Sequence, residues 1–289
     1  MRCPGSRATC CVLTLTLVPL VLACGGPPGV RLEEAYLATS GGPSFDHSLF
    51  DQVLGDYVDA EGWVDYAGLR QDTASLDRYL AAIAAAPFDD LGRDEKLALL
   101  INAYNAFTLR LILDHYPLAS IRDIPEGERW DGRSWQVGGR RLTLNQIEHD
   151  ELRGQFAEPR IHFAINCASV GCPPLRNQAF VAQGIGEQLE AHARKMHADE
   201  RWVRWDGERG ILHLTKIYDW YGDDFRQAAE SVVDYVARYR PEVAAALAAG
   251  KTPKVEWLDY DWSLNASPVQ SAVLGERWWI PGLHGRLPH

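Results

Sequence analysis

A thiol becomes a nucleophile or a metal ligand only as its thiolate, so Cys167 and Cys172, in the run Cys167-Ala168-Ser169-Val170-Gly171-Cys172-Pro173-Pro174, are the first residues to weigh. To attack an amide or ester, Cys167 needs a base within hydrogen-bond reach. His149 and His162 are the candidates, with Glu148 or an asparagine to orient the imidazole. His149 is the preferred base, because an extended reading of the segment around His162 points that ring off the opposite face from Cys167. Asn102 and Asn105 are the remaining polar candidates, three apart on one stripe of an apolar helix. Buried there, their amides either pin loop backbone or polarise a substrate carbonyl. The same cysteines also read as a Cys167 to Cys172 disulfide in an oxidising compartment. A zinc set of Cys167, Cys172, His149 and His162 lacks a standard ligand spacing, and no metal or cofactor is expected.

These residues need elements to hold them. Leu97, Leu100, Ile101, Tyr104, Leu111 and Ile112 recur at helical spacing, which predicts a long helix from about Asp94 to His115, closed by Pro117. Trp135 to Leu144 reads as a hairpin turning at Gly138-Gly139. Thr143 with Gln146 then offers a capping box for a helix through Leu152 that carries Glu148 and His149. Arg160 to Asn166 is apolar on both faces save His162 and Asn166, the pattern of a doubly covered strand delivering Cys167 at its carboxyl end. Two short strands are expected around Glu61-Gly62, helices over Gly184 to Glu200 and Asp223 to Arg240, and a strand over Gly210 to Thr215. Tyr218, Trp220, Tyr221 and Phe225 read as an aromatic wall or as core, with Lys216 beside them for a carboxylate or for solvent. The expected fold is α+β (mixed α/β), a single globular domain over residues 45–289 with a long central helix packed on a small sheet.

Arg2 and Arg7 precede an apolar run from Cys11 to Ala23, too short to span a bilayer at the ~20 residues required. Residues 1–23 therefore read as an export signal. Val21-Leu22-Ala23-Cys24 resembles the lipobox of bacterial lipoproteins, which implies lipidation at Cys24 and a membrane anchor. Gly25 in the next position favours the outer membrane, facing the periplasm. Residues 24–44 read as a flexible tether. Without residues 1–23 the chain keeps 266 residues and a formal charge of −12 in place of −10. That acidity and the lack of a basic stripe argue against nucleic acid. A hydrophobic fraction of 46% with 10 Trp, 11 Tyr and 8 Phe fills a sizeable core. Trp278, Trp279 and Ile280 read as packing on the domain or touching lipid, with packing the favoured reading.

Ile101-Asn102-Ala103-Tyr104-Asn105-Ala106, Ile147-Glu148-His149 and His162-Phe163-Ala164-Ile165-Asn166-Cys167-Ala168-Ser169 with Gly171-Cys172-Pro173-Pro174 together resemble the family called domain of unknown function 547. Leu214 to Tyr221, Asp224-Phe225 and Tyr260 to Asn265 continue the resemblance, which names no substrate. A fainter similarity is to the papain and transglutaminase type of fold, whose cysteine starts the central helix, so no triad transfers. A thiol-dependent hydrolase or acyltransferase is the leading expectation, with Cys167 as nucleophile, His149 as base, Glu148 orienting it and Asn102 or Asn105 supporting the oxyanion. Its rival is a non-catalytic envelope module with a disulfide staple, binding a peptide, glycan or small molecule.

Overall fold

In a computed structural model that describes residues 34–267, the chain is mixed α and β. The helix Arg93–His115 forms the axis of the larger core. It is long and apolar enough to cross a membrane, but 89% of its most apolar stretch is buried inside the domain. A helix apolar on nearly every face is a core helix when protein covers it. Tyr66–Gln71, Ala74–Ala84 and Ile147–Leu152 supply much of that cover.

The hairpin forms as expected, with β1 (Trp135–Val137) antiparallel to β2 (Arg140–Leu142). Gly138 and Gly139 take φ of 54° and 79°, the left-handed pair that a two-residue turn requires. Trp135 stacks on Phe107 of the central helix at 4.7 Å between ring centroids. The second sheet runs β3 (Val203–Asp206), β4 (Ile211–Leu214), β5 (Lys254–Trp257), with β4 antiparallel to β3 and parallel to β5. The crossover between β4 and β5 carries the helices Ile217–Trp220, Gly222–Ala228, Val232–Ala237 and Pro241–Ala248. Buried side chains from that crossover, from β3 and β4 and from Ile185–Ala198 make a second, smaller core.

Several expectations need correction. Residues 160–166 are not a strand: Ile161–Ala164 is one turn of helix, entered through bonds to the carbonyls of Glu158 and Pro159, and only Ile165 beyond it is extended. A short, uniformly apolar run looks the same whether it becomes a buried helical turn or a buried strand. That turn joins the two cores, with Phe163 in the smaller and Ile161, Ala164 and Ile165 in the larger. The helix expected over Asp223 to Arg240 breaks at Ala229 to Ser231, where Ser231 caps the next helix by accepting from the Asp234 amide. The strands expected near Glu61 reduce to one bridge between Val58 and Val64. The described part of the expected tether is docked: Ala35 bonds to the Gln155 carbonyl, Glu34 pairs with Arg93, and Tyr36 packs between Phe88 and Phe156. Cys24, the export signal and the Trp278 to Ile280 tail lie outside the described residues.

Candidate active site

The central helix holds the site without lining it through its asparagines. Asn102 accepts from the Phe180 amide at 3.0 Å and donates to the Phe180 carbonyl at 2.7 Å, with His47 Nδ1 at 3.0 Å. Asn105 donates to the Ala164 carbonyl at 3.0 Å and accepts from the Asn166 amide at 2.8 Å. Both amides are buried and engaged with backbone, so neither is placed as an oxyanion donor. Of the two readings of this pair, pinning of loop backbone is the one formed.

Asn105 thereby fixes the loop that begins at Asn166. Asn166 accepts from the Ala168 amide at 2.7 Å and donates to the Pro173 carbonyl at 2.8 Å. Ala168 sits at φ 62°, an uncommon left-handed conformation for a residue with a Cβ. Farther along, Gly171 donates to the Asp261 carbonyl at 2.8 Å, and a Cβ at Gly171 would stand 2.9 Å from the Asp261 nitrogen. The Cys167 to Cys172 loop is thus clamped between the central helix and residues 260–265.

Cys167 is half-buried and Cys172 buried, both as free thiols. The Cys167 sulfur lies 3.1 Å from Ser169 Oγ and 3.2 Å from the Tyr260 hydroxyl. That hydroxyl is also 3.1 Å from the Cys172 sulfur, which accepts from the Cys167 amide at 3.0 Å. The bond from Cys172 lowers the Cys167 pKa; burial opposes it, while Ser169 and Tyr260 reinforce it. Burial, with the Cys167 charge beside it, pushes the Cys172 thiol well up. Cys167 is therefore the ionisable sulfur of the pair.

One cavity of about 310 Å³ gathers Cys167, Cys172, Glu148, His149 and His162 with Tyr104, Trp130, Trp220, Tyr221, Tyr260 and Trp262. Glu148 and His149 arrive on the segment that starts at the Thr143 and Gln146 capping box. Its middle, Ile147–Leu152, is a π-helix, the wider turn often found at functional sites. The helical turn Ile161–Ala164 brings His162 to the cavity that Cys167 also lines, against the extended reading.

The two imidazoles are held by different partners. His162 Nε2 lies 2.7 Å from Asp224 Oδ2, and its ring stacks on Tyr221 at 4.0 Å. Burial lowers its pKa, partly offset by Asp224. Burial also disfavours the Asp224 charge, but the bonds from His162 and Arg153 outweigh this and hold the carboxyl far below its usual range. A neutral His162 then donates from Nε2, which leaves its buried Nδ1 as a lone pair with no partner among the described residues. His149 Nδ1 faces Arg153 Nη1 at 2.8 Å. A guanidinium only donates, so Nδ1 accepts and the His149 proton sits on Nε2. His149, the expected base, is thus set as a donor, and His162 is the ring with a free lone pair. Glu148 orients neither ring; it accepts from the Tyr221 hydroxyl at 2.6 Å.

Asp224, Arg153, Tyr260 and Ser169 complete the site and were not singled out as acting residues. Asp224 carried a trace in the Asp224-Phe225 motif, but its partner lies 62 positions away. Trp220 and Tyr221 line the cavity, while Tyr218 and Phe225 are core. Lys216 pairs with Asp219 at 2.9 Å. Among the described residues, no three His, Cys, Asp or Glu side chains are grouped to share a metal ion.

Comparison with curated proteins returned no match, and neither did comparison with solved structures. Residues 88–196, which carry the central helix, His149, His162 and both cysteines but not Asp224 or Tyr260, match the family model described as protein of unknown function, DUF547, which identifies that stretch as a DUF547 region.

Proposed function

We propose that this chain is a thiol-dependent hydrolase or acyltransferase acting on an amide or ester. The observation that carries the reading is that Cys167 and His162 line one cavity, with the His162 ring held from behind by Asp224. His162 Nδ1 takes the thiol proton, the Cys167 sulfur attacks the carbonyl carbon, and the proton returns to the amine or alcohol as its bond to that carbon breaks. Water or an acceptor nucleophile then cleaves the thioester, and the thiol regains a proton. Asp224 holds the tautomer. His149, donating from Nε2, supports the developing oxyanion in place of the asparagines. In the resting site the described bonds of the Cys167 sulfur go to Ser169 and Tyr260, so substrate must bring imidazole and sulfur together, as catalytic contacts often tighten only in the complex.

The test uses p-nitrophenyl acetate, an activated ester that needs no knowledge of the natural substrate. Intact mass should show one acetyl group on Cys167, lost in Cys167→Ser and formed far more slowly in His162→Gln. Acetylation unchanged by His162→Gln would sink the reading.

A second reading is a non-catalytic envelope binding module with a Cys167 to Cys172 disulfide. It is favoured by the Tyr260 hydroxyl touching both sulfurs, which places them side by side. Alkylation before and after reduction, on protein from its native compartment, separates the two. Labelling only after reduction supports the staple.

We further propose export and lipid anchoring at Cys24, on the strength of the lipobox-like sequence. Metabolic labelling with a fatty-acid analogue should mark the wild type and not Cys24→Ser.

A further inference from the structure

Glu148 is 7% exposed and borders the cavity that holds Cys167, and the bond described to its carboxylate is the one from Tyr221. A carboxylate removed from water usually meets a cation or several donors. Arg153 is engaged elsewhere, donating to Asp224 at 2.6 and 3.1 Å and to His149 at 2.8 Å. Among the described residues no salt bridge within contact distance reaches Glu148; the Arg153 charge acts on it only at longer range.

Aromatic rings line the same cavity. Trp220 and Tyr260 have centroids 4.8 Å apart at 52°, and Tyr260 and Trp262 4.6 Å apart at 52°. Rings meeting at such angles make a corner rather than a stack, and their negative faces favour a cation in its hollow. Arg122 stands over Trp262 at 5.4 Å and Arg129 over Trp130 at 5.8 Å, so rings of this set already take cations. Among the described residues no cation is placed over Trp220 or Tyr260, and Trp220 is 46% exposed.

We infer that this cavity selects a ligand bearing a protonated amine, its ammonium seated between the Glu148 carboxylate and the ring faces of Trp220 and Tyr260. This names a substrate class for the acyl-transfer reading, on which its catalytic meaning rests. A sugar ring would use the aromatic faces but has no need of a buried negative charge. The seat also ties binding to reactivity. Glu148 opposes ionisation of Cys167, so a cation placed against it relieves that opposition and favours the thiolate.

The test compares n-butylammonium, 1-butanol and butyrate on the full chain carrying Cys167→Ser, at pH 7, by tryptophan fluorescence and calorimetry. Butylammonium should bind about tenfold or more tightly than butanol, and butyrate weakest. Glu148→Gln, which keeps an acceptor for Tyr221, should erase the preference, and the exposed Trp220→Ala should reduce it. Equal binding of amine and alcohol, or a preference untouched by Glu148→Gln, overturns the inference. If Glu148→Gln does not fold, an undiminished preference in Trp220→Ala overturns it instead. With Cys167 restored, butylammonium should speed iodoacetamide labelling of that thiol severalfold. Loss of acetyl transfer with the amine preference intact would overturn the enzyme reading alone and leave an ammonium-binding pocket.

Discussion

His162 Nε2 stands 2.7 Å from Asp224 Oδ2, while the ring's other nitrogen is buried with no partner among the described residues. A carboxylate on one side and an unpartnered lone pair on the other is the arrangement of an oriented general base. Arg153 binds the same carboxylate at 2.6 Å, and a third of its bonds turns His149 into a donor. One ion pair therefore assigns opposite tasks to two histidines.

Asp224→Asn should leave the fold intact and lower the rate of Cys167 acetylation by about 10²- to 10⁴-fold, because an amide no longer enforces the productive tautomer. Single-turnover kinetics with p-nitrophenyl acetate measure it. A rate equal to wild type would remove Asp224 from the mechanism.

Cys167 should alkylate at lower pH than an ordinary thiol, and Cys172 should resist until the chain unfolds, since burial raises the latter's pKa. Tyr260→Phe and Ser169→Ala each remove a hydroxyl beside the Cys167 sulfur, so both should move its labelling profile to higher pH, by up to about one unit. Quantitative mass spectrometry across pH reads both residues at once; earlier labelling of Cys172 would contradict the geometry.

Asn105→Ala strands the Ala164 carbonyl and the Asn166 amide, two buried groups, and should cost about 2–4 kcal/mol. Asn102→Ala strands both backbone groups of Phe180 and should cost a similar amount. Urea unfolding measures each loss. Folded Asn102→Ala protein should keep most of its acetyl transfer, which an oxyanion role would not permit.

His47, His192 and His197 are buried, and burial lowers each pKa to about 4. The unfolded chain, with these groups near 6.5, binds more protons than the folded one between those values. Stability should therefore be full above about pH 6.5 and fall as pH drops toward about 4, by up to about 3 kcal/mol per histidine. Thermal unfolding across pH 4–8 checks the slope, and His192→Gln should flatten it.

Local pattern alone determined the central helix, the Gly138-Gly139 hairpin, the Thr143 and Gln146 cap, the helix Ile185–Ala198 and the strand Ile211–Leu214. In each, the period of apolar residues, a cap or a required backbone conformation acts over a few neighbouring positions, so the information sits where the element forms. The same reasoning picked out Cys167, Cys172, Glu148, His149 and His162, which the fold gathers in one cavity. It also misread residues 161–164, where a short apolar run carries no period to separate helix from strand, and so turned His162 the wrong way. Only tertiary structure decided the tasks within the site. Asn102 and Asn105 became clamps because loop backbone met them from 59 to 78 positions away. His162 keeps an unpartnered nitrogen, which the proposed mechanism uses as base, because Asp224 reached its other nitrogen across 62 positions, and His149 meets instead a nearby guanidinium whose other bonds Asp224 fixes. A tautomer depends on which atom faces a nitrogen at hydrogen-bond distance, and chain order carries no such distance.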